Sequence, residues 1–262
     1  MRKLFPVLLA IAPGCAVIEV HDGDGVSVTD VREVGRFDTV SNQGEVDVAI
    51  TYGPTYAAAV TCDSNLVDYI VLEQDGGTLQ VKLDRENGAW IRIAPATDCV
   101  VEIVAPELDG LRATGSGDVE VVGDTGFALS DISVTGSGDV VVYVPVEVNH
   151  FDASVTGSGT MELDSLVADD VSVKSTGSGG LSISAGSART LDLSDTGSGD
   201  IFVRGVVAEQ VDAHLTGSGD GEVTATAQIT AHTTGSGDLT VWGAPTQRDV
   251  SSTGSGEILF AE

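Results

Sequence analysis

Leu191-Asp192-Leu193-Ser194-Asp195-Thr196-Gly197-Ser198-Gly199-Asp200-Ile201-Phe202-Val203 is the stretch on which the fold turns. Its Gly-Ser-Gly centre, taken alone, reads as a flexible linker. On either side, however, apolar side chains fall at every second place: Leu191 and Leu193 before it, Ile201 and Val203 after it. Alternation of period two marks a strand with one buried face. The segment therefore reads as strand, corner, strand.

The arrangement recurs along the chain. Thr-Gly-Ser-Gly begins at Thr114, Thr135, Thr156, Thr176, Thr196, Thr216, Thr234 and Thr253, at intervals of 21, 21, 20, 20, 20, 18 and 19 residues. Two places after each motif stand Val119, Val140, Met161, Leu181, Ile201, Gly221, Leu239 and Ile258; two further on stand Val121, Val142, Leu163, Ile183, Val203, Val223, Val241 and Phe260. Three places before each Thr, Leu111, Ile132, Ala153, Val173, Leu193, Ala213, Ala231 and Val250 continue the pattern. No stretch keeps a 3.6-residue period long enough for a helix. Coils of about 20 residues repeated in register predict an all-β chain forming a single parallel β-solenoid, with like side chains stacked at about 4.8 Å. Its stability would come from neighbouring coils. Glycines suit a corner that needs positive φ or admits no Cβ beside the next coil. Gly221 is the weak rung, where a gap or an inward-leaning neighbour is expected.

Residues 37–112 alternate strongly, as in Val46, Val48 and Ile50 or Leu79, Val81 and Leu83, but lack the corner motif. They read as irregular strands and hairpins covering the N-terminal end of the solenoid, with Gly76-Gly77 as a hairpin turn. The regular solenoid is assigned to residues 113–262. Its last coil has no cap beyond Glu257 and Glu262, and an open edge of this kind invites end-to-end self-association.

The first residues read as an export signal. Arg2 and Lys3 precede a short apolar run, and Ala12-Pro13-Gly14 leads into Cys15. The run is too short for the roughly 20 residues that span a bilayer. Residues 1–14 are thus a signal peptide and 15–36 a tether. The placement of Cys15 resembles a lipoprotein signal, with ordinary cleavage nearby as the alternative; Ala16 in place of Asp points to the outer membrane. Lipidation of Cys15 leaves Cys62 and Cys99 as a pair in an oxidising compartment. A disulfide between them is expected, two buried thiols being the alternative.

Composition narrows the function. With 40 Asp and Glu against 12 Lys and Arg, the formal charge is -28, which repels nucleic acid and anionic lipid headgroups. The membrane is then reached only through a lipid anchor. A hydrophobic content of 42% supplies a core and argues against disorder. Lyase action on an acidic polysaccharide needs a cationic groove, whereas residues 113–262 carry four basic side chains against 22 acidic ones. Corner serines recurring eight times suit a structural role better than a single nucleophile, so no enzyme is expected, with a polysaccharide-acting β-helix enzyme as a minor alternative.

Phe37-Asp38-Thr39-Val40, Gly76-Gly77-Thr78-Leu79-Gln80-Val81, Val104-Ala105-Pro106-Glu107-Leu108 and the run of Gly-Ser-Gly-Asp corners together resemble the bacterial head GIN domain family, labelled as autotransporter adhesins and as a domain of unknown function. The resemblance implies an exported, often lipid-anchored β-solenoid that binds a surface ligand, glycan or protein. It supplies no catalytic residues. Nothing in residues 1–262 reads as the membrane barrel of an autotransporter.

Two candidate metal sites follow from stacking. The residues after the corner include Asp200, Asp220, Asp238 and Glu257, a carboxylate file that calcium would bridge; the alternative is that each Asp bonds the corner amides of its own coil. His214 and His232 lie two places before successive corner threonines, and a transition metal could share them with Asp212 or Thr234 nearby. Exposed stacked imidazoles without metal are the alternative. Thr and Ser ladders at the corners are expected to bond coil to coil.

Overall fold

The computed structural model describes residues 18–86 and 89–261; the signal segment, Cys15 and Glu262 lie outside them. The described chain is all β, apart from one 3-10 turn at Val67–Tyr69. Successive corner threonines are parallel partners from Thr135 to Thr156, Thr176, Thr196, Thr216, Thr234 and Thr253. The coils are therefore stacked in the register that the motif spacing demanded. Val121, Val142, Leu163, Ile183, Val203, Val223 and Val241 form one buried column, and Val119, Val140, Met161, Leu181, Ile201 and Leu239 another. Alternate residues leave the solenoid for solvent, which is why strands such as Met161–Gly177 switch between buried and exposed at nearly every step.

Stacking begins before the first motif. Thr39–Asn42 is the parallel partner of Gly110–Ala113, and Asp47–Tyr52 of Val119–Val122, so residues 39–52 are themselves a coil. Thr78–Leu83 and Val100–Ala105 add a further layer on those two strands. Beyond both strands of this layer the pairing turns antiparallel. Ala57–Asp63 runs antiparallel to Val100–Ala105, and Ser27–Arg32 antiparallel to Ala57–Asp63. On the other face, Ile70–Asp75 folds back on Thr78–Leu83 through Gly76 and Gly77, both at positive φ. These antiparallel strands are the cover expected for the N-terminal end.

The register of that cover sets Cys62 opposite Cys99, one step beyond the Thr61 and Val100 pair, and the two are joined as a disulfide with Cα atoms 4.2 Å apart. Buried Asp63 beside it accepts the amides of Gly25 (2.7 Å), Ala96 (2.9 Å) and Thr97 (3.1 Å). Burial pushes its pKa upward, but these amide donors outweigh it and hold the carboxyl below the usual value.

At the corners the two glycines are required for different reasons. Gly217 has φ of +133°, and a Cβ there would lie 1.9 Å from the Gly197 carbonyl oxygen. Gly219 needs no positive φ, yet its Cβ would meet the Gly199 carbonyl oxygen at the same 1.9 Å. This close approach lets corner amides bond down the stack, as from Ser218 N to Gly197 O at 2.8 Å. Backbone thus carries most of the bonding expected of the hydroxyls; among corner serine side chains Ser255 to Ser236 (3.2 Å) is one direct link. At Gly221 the space is filled by Leu215 and Leu239, whose methyl carbons lie 3.0 Å from where a Cβ would stand.

Candidate binding surface

The carboxylates after the corners are bonded, but to the next coil rather than their own. Asp200 Oδ1 accepts the amide of Asp220 (2.9 Å), Asp220 that of Asp238 (2.8 Å), and Asp238 that of Glu257 (2.8 Å). Stacking explains the correction, since the parallel register brings the amide of the next coil to each carboxylate. A second file, in which Asp118 and Asp139 also follow corner motifs but the first member, Asp47, does not, runs from Asp47 to the amide of Asp118, Asp118 to Asp139, and Asp139 to Thr160. Thr160 and Gly180 separate the two files. Each Asp commits one oxygen, and the carboxylates follow a line rather than converging on a point. Asp220→Ala should cost about 1 kcal/mol, the scale of one hydrogen bond, whereas Asp220→Asn, which keeps the acceptor, should cost less; thermal unfolding of both variants checks this.

His214 and His232 do stack, with ring centroids 5.1 Å apart. Their Nδ1 atoms turn to different partners: His214 to Asp212 Oδ1 at 3.2 Å, His232 to Ser251 Oγ at 2.7 Å. The three candidate ligands are not brought to one point. Among the described residues the one place where three His, Cys, Asp or Glu ligand atoms converge is Cys62, Asp63 and Cys99, whose sulfurs are bonded to each other.

Two concavities that periodicity did not reveal lie on the solenoid. A groove of about 1110 Å³ crosses six successive coils, from Ser130 to Thr226. Val148, Ala168 and Ala188, stacked in one largely buried column, run along it between exposed neighbours. Val167 and Val207, each nearly half exposed, stand along it. Glu147, Asp169 and Glu209 line it with His150 and Arg189. Arg189 pairs with Asp170, which also accepts the Thr190 hydroxyl at 2.6 Å. That hydroxyl, with the nearby Arg189 and His150, holds the Asp170 carboxyl below its usual pKa despite partial desolvation. The second concavity, about 580 Å³, is acidic, with Glu45, Asp47, Asp98, Asp118 and Glu120 in its lining. The groove gathers residues from six coils about 20 positions apart, so it was legible only once the register was known.

Residues 36–245 match the family model described as "Putative auto-transporter adhesin, head GIN domain". The chain belongs to the head GIN domain family. Solved structures share the fold over nearly its whole length. A "putative lipid binding protein" from Parabacteroides distasonis ATCC 8503 is 26% identical with a TM-score of 0.86, over 93% of this chain and 100% of that one. A "putative adhesin" from Parabacteroides merdae ATCC 43184 is 24% identical with a TM-score of 0.84, over 93% and 99%, and another from Bacteroides fragilis NCTC 9343 is 22% identical at 0.69, over 92% and 100%. None of the curated proteins matches the chain. The names of these head GIN relatives describe adhesins or binding proteins rather than enzymes, and the family description points to an exported surface protein.

Proposed function

We infer that this head GIN protein is a non-catalytic binding module of the cell envelope, a surface adhesin held at the outer membrane by a lipid on Cys15. The observation that carries the reading is the groove across six coils: its length suits an extended glycan or polypeptide better than a compact metabolite, and it sets exposed Val167 and Val207 among charged side chains. The family description supports an adhesive role, and the small basic complement argues against a polyuronate-cleaving enzyme. Calcium bridging the outer oxygens of Asp200, Asp220, Asp238 and Glu257 belongs to the same reading, as a support for the presenting face.

The test is binding of purified residues 16–262 to a glycan and matrix-protein panel and to whole cells, in calcium and in EDTA. Saturable binding that Val167→Trp, which crowds the groove from an exposed position, weakens at least tenfold supports the groove as the site. Binding untouched by that change moves the site elsewhere, and loss in EDTA implicates the carboxylate file.

A second reading is a structural component on the periplasmic side of the outer membrane, self-associating end to end. One observation favours it. Among the described residues Gln247–Gly254 and Ile258–Ala261 pair only with the coil before them, leaving Val250, Leu259 and Phe260 at 39, 45 and 36% exposure. Protease added to intact cells separates the readings, because digestion requires surface display.

A further inference from the structure

The residue just before each corner threonine points into the core. In successive coils this column holds Ala113, Val134, Val155, Ser175, Asp195, Leu215 and Thr233, all buried. Asn42 fills the place in the first coil and Ser252 in the last. Three of the polar residues that stand there donate to the carbonyl four residues on, whereas the Thr233 hydroxyl has no hydrogen-bond partner. Asn42 Nδ2 donates to Val46 O at 2.9 Å, Ser175 Oγ to Gly179 O at 3.3 Å, and Ser252 Oγ to Gly256 O at 2.6 Å.

Asp195 occupies this column at 2% exposure, and neither of its carboxyl oxygens has a hydrogen-bond partner. The Ser175 hydroxyl in the coil below is directed at Gly179, and Leu215 in the coil above is apolar. The overlying corner contributes only backbone: a Cβ at Gly219 would stand 3.0 Å from Asp195 Oδ2. The charged group that bears on it is Asp200, across the corner and of the same sign. An ionised carboxylate here is an acceptor placed where Asn42, Ser175 and Ser252 place a donor, with only the Ser175 hydroxyl and the Thr196 amide near enough to favour the anion.

We propose that Asp195 is held as a neutral carboxylic acid in the folded protein, its O–H donating to the corner carbonyl of Gly199 as the Ser and Asn of this column do, so that the middle coils loosen as this proton is lost. Burial, the largest influence, raises its pKa; Ser175 and the Thr196 amide oppose this without reversing it, and Asp200 raises it further. The sign follows from linkage. Below the ordinary carboxylate pKa both folded and unfolded chains carry the proton, and the stabilisation is complete. As pH rises the unfolded chain releases it first, so stability falls until the raised folded value is passed and then levels.

The experiment compares thermal unfolding of the parent protein, Asp195→Asn and Asp195→Leu at pH 4 and pH 8. Asparagine brings the donor permanently, as Asn42 does, so Asp195→Asn should melt higher than the parent at pH 8 by about 2–4 °C and no higher at pH 4. Leucine, the residue of the next coil, removes the charge but leaves the Gly199 carbonyl unpaired, and should fall below asparagine at both values. An asparagine variant that melts lower than the parent at pH 8 overturns the proposal. Carboxyl 13C titration of the unmodified protein gives an independent check: Asp195 should keep its proton through the range in which exposed aspartates lose theirs, and titration together with them overturns the proposal without any variant.

Discussion

Gly217→Ala is expected to melt the solenoid from its middle. The new methyl carbon would stand 1.9 Å from the Gly197 carbonyl oxygen, on a backbone at φ +133°. The backbone conformation alone costs about 1–3 kcal/mol, and the overlap forces two coils apart where Ser218 N bonds Gly197 O. A combined loss of about 4 kcal/mol or more, or about 10 °C in a chain of this size, is the expected reading in a thermal melt. Two comparisons separate the causes. Gly219→Ala meets the same overlap without positive φ and should lose slightly less, whereas Gly76→Ala has positive φ but nothing within 4 Å of the added carbon and should lose about 1 kcal/mol. Equal losses at Gly76 and Gly217 would show that conformation, not coil contact, fixes the corner.

That contrast also explains how far the sequence carried. The solenoid was legible because its corner is a steric requirement repeated eight times; only Gly fits twice in each motif, so the spacing of motifs is the spacing of coils. Gly221 was equally legible as an oddity, and Leu215 and Leu239 close it. What escaped were relations between coils that share no motif. Residues 39–52 stack as a coil although Gln43-Gly44-Glu45-Val46 stands where Thr-Gly-Ser-Gly would, so the carboxylate file that starts at Asp47 began one coil before the motif did. The Asp carboxylates were placed on the correct face but bonded to the wrong coil, since a sequence displays turns along the chain more plainly than neighbours 20 residues away. The groove is lined by residues from six successive coils, and residues at 20-residue intervals have no common meaning until the register is known. The position before each corner threonine was not read as a column, so Asp195, which with Ser175 interrupts its apolar run between Val155 and Leu215, was counted only as charge.

Removal of the disulfide should expose the other dependence of this architecture, that of its closed end. The double variant Cys62→Ser, Cys99→Ser opens a link across 37 residues, which the chain-entropy relation values at about 4 kcal/mol. In a stacked array that loss is expected to stay local, because each coil draws its stability from its neighbours. Ser27–Arg32 and Ala57–Asp63 should lose amide-exchange protection first, while Val140–Gly157 through Gly221–Gly235 retain it. Asp63 gives the opening a pH dependence opposite to that of Asp195. Its folded pKa is depressed by three amides, so its contribution is present above the ordinary carboxylate pKa and is lost as pH falls through the depressed value. Acidification should therefore open the cover of the double variant at milder conditions than the parent, and Asp63→Asn should remove that share of the acid sensitivity. Uniform loss of protection through residue 235 would instead mean that the cover holds the whole stack in register, and the nearest-neighbour account of its stability would fail.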